Sequence, residues 1–384
     1  MKGVKIAWAV IAIISWCHSA NGASLHSHAS TDSTAIEPAQ HSIWRMPSLA
    51  LAAHYGYLIP HRTEIQGLVK THTRAFEINV EWLTTGVKKW HALYKRPYIG
   101  IDAWLCDPGN RELIGQQYGL IPYVRFPLRY GKRFGHDLKT GAGVGYTTKT
   151  WDLENNTKAL FIGSPFNAAI NLQYGMQAFV SDAISLSLGL RITHYSNGSF
   201  KTPNMGTNIV TLFAGCKWIA PTNRRDCAPP EINFLSVLPK RWNLQIGIGF
   251  GMKEISVPHQ PRFPVYLLNL TESYRIGEKV SIGAGLDAFY TSSLRYQLEL
   301  LDRDSRPNDA LRLGLSGVFT MHFGKTDFIF ATGGYFYDRT HLDGSVYSRV
   351  GLHYHFTPQL VGGFRLKTHF AKADHPEIML GWCF

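Results

Sequence analysis

The chain has 384 residues, of which 45% are hydrophobic and 13% aromatic, and its formal net charge is +12. It can bury a large apolar surface, but no run approaches the roughly 18 apolar residues of a membrane-spanning helix, which argues against a helical membrane protein. The Lys and Arg residues are scattered among aromatic-rich segments, so a membrane surface bearing phosphate groups fits the charge better than nucleic acid, and no nucleic-acid partner is expected.

Residues 1–22 have the features of a secretory signal peptide. Lysines precede an apolar core, and small residues follow at 20–22, where a signal peptidase would cut. The mature chain is therefore predicted to begin near Ala23. The His- and Ser-rich stretch that follows, residues 23–48, has no periodicity and is predicted to be flexible.

Apolar and polar residues alternate from about residue 49 to the C-terminus. The alternating segments are about 9 to 15 residues long, which suits tilted membrane β-strands, and turn residues separate them. We count about sixteen segments. The last one alternates Ile378, Leu380, Trp382 and Phe384, and an aromatic end of this kind resembles the assembly signal of bacterial outer-membrane barrels.

The pattern predicts an all-β, antiparallel, transmembrane outer-membrane β-barrel of about sixteen strands. A closed barrel leaves no unpaired strand edge in lipid, where every backbone polar group needs a partner. Two eight-stranded units in tandem satisfy the same rule and form the alternative. In either case residues 49–219 form the first half, 220–242 a linker and 243–384 the second half.

The segment from Ala183 to Trp218 carries polar residues in an unexpected place. Its even positions from Ile184 to Ile192 are apolar, and His194 and Ser196 continue that face. Asn208 leads the apolar face of the next segment. If the chain starts on the periplasmic side, with short inner turns and long outer loops, all three lie at the outer-leaflet end and face lipid.

His194, Ser196 and Asn208 suit nucleophilic catalysis. A serine becomes a good nucleophile when a neighbouring base takes its proton, and a third group that fixes the tautomer of that base improves it. An oxyanion could be held by the side chains of Asn197 and Asn204. Further candidate donors are the backbone N–H groups near Gly198 and Gly206.

The run His194-x-Ser196-Asn197-Gly198, followed by Pro203-Asn204-x-Gly206-x-Asn208, resembles the active-site signature of the lipid A deacylase family, the PagL-like outer-membrane barrels, and especially the longer branch called acyloxyacyl hydrolase. The resemblance implies a carboxylic ester hydrolase of the bacterial outer membrane. Its substrate would be an acyl chain of lipid A or lipopolysaccharide among the outer-membrane lipids, with no cofactor. The matching histidine is the base and the matching serine the nucleophile, but the family has Glu where this chain has Asn208.

At Asn208 the chain instead resembles outer-membrane phospholipase A. That family carries His-x-Ser-Asn-Gly with an Asn twelve residues beyond the serine. Its Ser-Arg-Ser-Trp-Asn run is absent, so its calcium dependence is not carried over. Hydrolysis of glycerophospholipids is therefore the alternative function. A non-catalytic pore or surface-binding barrel is the alternative from another class.

Residues 363–371 echo residues 189–196 but form no second esterase. Alternation turns the polar side chains of this region toward the lumen, and Ala371 stands where a nucleophile would be. A polar lumen network is predicted there, formed by Arg365, Lys367, His369, Glu377 and Asp374. The cysteines are too widely spaced for a zinc pattern, and no metal site is expected.

Overall fold

The computed structural model describes residues 46–224, 240–255, 261–370 and 372–384. The predicted signal peptide, 1–22, lies outside these ranges, as does most of the predicted flexible segment. No helix within the described ranges is long and apolar enough to cross a membrane.

The described residues contain sixteen β-strands, and the sheets are antiparallel throughout. The first eight strands are β1 (Ser48–Leu58), β2 (Thr73–Leu83), β3 (Tyr98–Asp107), β4 (Gln117–Tyr130), β5 (Phe134–Thr147), β6 (Phe166–Phe179), β7 (Ile184–Ser196) and β8 (Thr207–Trp218). The other eight are β9 (Trp242–Lys253), β10 (Phe263–Arg275), β11 (Val280–Thr291), β12 (Leu311–Phe323), β13 (Thr326–Asp338), β14 (Val346–His355), β15 (Leu360–His369) and β16 (Lys372–Cys383). The connections contain the helices α1 (Lys89–Leu93) and α2 (Ser293–Leu300) and the 3-10 turns Thr63–Leu68, Pro221–Asn223 and Pro307–Ala310.

Strand β1 closes the first barrel by pairing on both of its edges. One edge pairs with β2, and the other pairs with β8 from Leu49 opposite Trp218 to Leu58 opposite Ile209. In the second barrel, β9 plays the same part, because it pairs with both β10 and β16. Each barrel therefore closes on itself after eight strands.

The expectation of a single barrel of about sixteen strands is wrong, and the tandem alternative of two eight-stranded units is confirmed. Alternation specifies which face of a strand is apolar, but it reads the same whether β1 pairs with β8 or with β16. Both closures leave no open edge, so the lipid rule does not choose between them. The division at the linker 220–242 stays a prediction, since residues 225–239 lie outside the described ranges.

The first barrel has an apolar outer face and a charged, filled interior. On β7, the side chains of Leu186, Leu188 and Leu190 are exposed, whereas Arg191 is fully buried. The inner charges compensate one another, as buried charges must. The Arg191 guanidinium lies 2.6 Å from a carboxylate oxygen of Glu77 and 2.6 Å from one of Asp102. The Lys139 ammonium also bridges the two, at 2.6 Å and 3.2 Å.

The second barrel contains the predicted lumen network. Arg365 lies 3.3 Å from Glu377, Lys367 lies 2.7 Å from Asp374, and His369 lies 3.6 Å from Asp374. All five side chains are buried. The prediction that these residues turn inward is confirmed, and they have the ion-pair partners that burial requires.

Candidate active site

His194 and Ser196 stand at the end of β7 on the outward face of the first barrel. Ile192 on that face is exposed, and the intervening Thr193 and Tyr195 are buried. His194 is half-buried, and Ser196 is 7% exposed. The structure thus brings a base and a hydroxyl onto the face that the alternation assigns to them. The other connections at this end are 59–72, 108–116 and 148–165, whereas at the opposite end 131–133 and 180–183 are short and 84–97 is long.

Asn208 lies directly opposite His194 in the β7–β8 register. The Nδ1 atom of His194 is 2.7 Å from the side-chain oxygen Oδ1 of Asn208. That oxygen can only accept, so Nδ1 carries the proton and donates it. The other ring nitrogen, Nε2, is then left with a lone pair, which is the tautomer that a general base for Ser196 requires.

Asn204 and Asn197 form a short hydrogen-bonded chain beside the serine. The side-chain nitrogen of Asn204 donates to Ser196 Oγ at 2.9 Å, and its Oδ1 accepts the backbone N–H of Asn197 at 3.1 Å. The side chain of Asn197 in turn donates to Ser164 Oγ at 2.8 Å. Asn204 therefore places an amide donor beside the candidate nucleophile, close to where the carbonyl oxygen of a bound ester would become an oxyanion.

The backbone of Gly206 does not supply an oxyanion donor, and the residue instead leaves space for the His194 ring. Its backbone N–H donates to the carbonyl of Phe161 at 2.8 Å, so that N–H is not the oxyanion donor suggested by the sequence. Its φ of +74° belongs to the left-handed region, which glycine adopts without penalty. A Cβ atom there would lie 2.9 Å from Cε1 of His194. Glycine at 206 thus leaves room for the imidazole. Gly198, in the same connection, also has a positive φ of +66°.

We expect Gly206→Ala to lower kcat/KM for ester hydrolysis by up to about 100-fold, because misplacing a catalytic group by about 1 Å can cost that much. The rate is measured with a water-soluble p-nitrophenyl ester and the protein in detergent micelles. Gly67→Ala is the matched control, since a Cβ there meets nothing within 4 Å. Equal losses in the two variants would contradict the assigned role of Gly206.

His61 is a member of the site that the sequence did not reveal. Its Nδ1 lies 3.0 Å from the side-chain nitrogen of Asn208, and its Nε2 lies 3.0 Å from the carbonyl of Met205. His61 follows β1, and the β1–β8 closure brings it there, since the N–H of Ile59 donates to the carbonyl of Asn208 at 2.8 Å. A sixteen-stranded barrel would have separated the two, so only the tandem alternative could have pointed to His61.

One group of possible metal ligands occurs among the described residues, formed by Asp343, His369 and Asp374 of the second barrel. Positively charged side chains of the same protein already form ion pairs with its carboxylates. Lys253 lies 2.5 Å from Asp374 and 3.6 Å from Asp343, and Arg312 lies 2.9 Å from Asp343. Burial alone would raise the pKa of the Asp343 carboxyl, but Lys253 and Arg312 hold it below its usual range. This group is an ion-pair cluster.

Two family models match the chain. Residues 75–217 match "Lipid A 3-O-deacylase (PagL)", and residues 241–384 match "Acyloxyacyl hydrolase, C-terminal domain". Among characterised proteins, "Lipid A deacylase PagL" of Bordetella bronchiseptica is 29% identical over 140 residues, which cover 36% of this chain and 71% of that protein.

Two solved structures also align with the chain. The outer membrane enzyme PagL aligns with a TM-score of 0.31 and 16% identity, covering 43% of this chain and 97% of that one. Neisserial surface protein A aligns with a TM-score of 0.31 and 13% identity, covering 45% and 95%.

Proposed function

The chain belongs to the PagL-like lipid A deacylase family, and we propose that it is a serine esterase that removes an ester-linked acyl chain from lipid A in the bacterial outer membrane. One observation carries the proposal. On the outward face of the first barrel, the hydrogen bond between His194 and Asn208 fixes the base in its productive tautomer, two residues from Ser196.

In the proposed reaction, His194 Nε2 takes the hydroxyl proton of Ser196 while Oγ attacks the ester carbonyl carbon. The tetrahedral oxyanion is held by amide donors, among them the side chain of Asn204, whose nitrogen lies 2.9 Å from Oγ before the reaction. Collapse expels the sugar alkoxide, which takes the proton from Nε2. A water molecule, deprotonated by the same nitrogen, then releases the fatty acid from the acyl-serine and restores the hydroxyl.

The site's place on the barrel supports a lipid substrate. The side chains below it on the same face of β7 are apolar and exposed, so an acyl chain lying along the barrel wall would lead its ester bond to Ser196. This end fits the outer leaflet, where lipid A resides, because two of the three connections at the other end, 131–133 and 180–183, are short turns. The filled interior of the first barrel disfavours the alternative of a pore through that unit.

Glycerophospholipid hydrolysis remains the second candidate, and Asn208 favours it, because outer-membrane phospholipase A carries Asn at the matching position. Asparagine is neutral, so it stabilises an imidazolium less than a carboxylate does. Both substrates require the same chemistry, and they differ only in the lipid that presents the ester.

The proposal is tested by mass spectrometry of lipid A from cells that express the chain. We expect a species lighter by one acyl chain, which is absent from cells that carry an empty vector. In parallel, purified protein is mixed with vesicles of phospholipid alone, with and without calcium. Fatty acid released only from the phospholipid vesicles, with lipid A unchanged, would establish the second candidate instead.

A further inference from the structure

The carboxamide of Asn208 lies between two imidazole rings and contacts both. Its oxygen accepts from Nδ1 of His194 at 2.7 Å, and its nitrogen lies 3.0 Å from Nδ1 of His61. The second ring continues the chain, because its Nε2 lies 3.0 Å from the carbonyl oxygen of Met205. Four groups are therefore linked in a line that ends at the candidate base.

Only one orientation of this carboxamide supports catalysis. The oxygen and nitrogen of an amide are similar in size, so the group fits its space in either orientation. If the amide were reversed, its nitrogen would donate to Nδ1 of His194, and the proton of that ring would move to Nε2. The ring could not then take the proton of Ser196. Some neighbour must therefore set the orientation of Asn208.

The surroundings of His61 set that orientation. The carbonyl of Met205 can only accept, so Nε2 of a neutral His61 carries the proton, and Nδ1 has only a lone pair to offer. That lone pair accepts a hydrogen bond from an N–H group and would repel the oxygen of the Asn208 amide. The carbonyl of Ile59 also approaches Nδ1, but at 3.4 Å it is the longer contact. The nitrogen of Asn208 is thus turned toward His61 and its oxygen toward His194.

We propose that His61 is a positioning residue of the active site, which holds the Asn208 amide in the orientation that keeps His194 in its productive tautomer. The inference rests on the proposed function. It also explains how the site can work with Asn208 where the family has Glu. A carboxylate has two equivalent oxygens and cannot be turned the wrong way, whereas an asparagine in the same place needs a partner that can only accept.

The test is a double-mutant cycle on the full chain refolded in detergent, with a p-nitrophenyl ester as substrate. A hydrogen bond of this kind shifts an equilibrium by roughly 2- to 12-fold. We therefore expect His61→Ala to lower kcat by about 2- to 10-fold with KM unchanged. With Asn208→Asp, which has no wrong orientation, we expect His61→Ala to change kcat by less than about 2-fold. His61→Gln, whose oxygen can accept from Asn208, should restore part of the rate.

Loss of kcat by the same factor in both backgrounds would show that His61 acts through general structure, and full activity of His61→Ala would show that it does not act at all. Either result overturns the proposal. Nitrogen-15 NMR of histidine-labelled protein gives a readout without catalysis. We expect His194 to carry its proton on Nδ1 in the wild type and partly on Nε2 in His61→Ala. An unchanged tautomer also overturns the proposal, whereas a wild type inactive on every ester, with the expected NMR shift, overturns only the proposed function.

Discussion

Ser196→Ala is expected to lower the rate of acyl ester hydrolysis by about 10⁴-fold or more, because removal of a nucleophile leaves only the donors and the binding surface. His194→Ala should cost a similar factor. The two side chains act as one unit, so the double variant should be no slower than either single variant. The rate is measured on lipid A in detergent micelles, by the release of free fatty acid.

Ser187→Ala is the matched control, since Ser187 lies on the same strand at an inward-facing position. It should leave the rate within about 2-fold of wild type, because substitutions away from the reacting groups have small effects. Lipid A deacylation by Ser196→Ala at the wild-type rate would rule out the serine mechanism. If the double variant lost much more than either single variant, the two residues would not form one unit.

Glu77→Leu is expected to destabilise the first barrel by about 3–5 kcal/mol, because it removes the partner of two buried cations. Glu77 lies 2.6 Å from both Lys139 and Arg191, and all three side chains are at most 1% exposed. The free energy of unfolding is measured by urea titration of the protein in lipid vesicles, followed by tryptophan fluorescence.

The loss of stability in Glu77→Leu should come from the burial of the ion pair and not from its short distance. Glu112 lies 2.6 Å from Lys70, the same distance, but the two side chains are 73% and 54% exposed. Glu112→Leu should therefore leave the free energy of unfolding close to that of the wild type. Comparable losses in the two variants would contradict the view that the buried charges inside the first barrel depend on one another.

The sequence predicts local features of this chain well. Alternation identified all the strands that flank the site and the outward direction of His194 and Ser196. It also turned Arg365 and Lys367 inward, because the two faces of a strand meet different solvents. The pairing of His194 with Asn208 follows from one hairpin, whose register depends on residues that are close in the chain.

The alternation of apolar and polar residues does not predict which strands pair when they are distant in the chain. Whether β1 pairs with β8 or with β16 depends on closure, and both choices satisfy the same side-chain pattern. The wrong choice concealed His61, which lies far from Asn208 in the chain. The hydrogen bond from the Gly206 N–H to the carbonyl of Phe161 was also not predicted, since the β5–β6 connection, distant in the chain, supplies that carbonyl.

The closing pair of β1 with β8 has a consequence for the order of assembly. His194, Ser196 and Asn208 all lie in one hairpin and meet as soon as β7 and β8 pair, whereas His61 arrives only when the first strand reaches the last. On the proposals above, a barrel still open at this seam has its nucleophile and base, but His61 does not yet orient Asn208, so it hydrolyses esters more slowly than the closed barrel. The full hydrolytic rate would then be reached only when the first barrel closes.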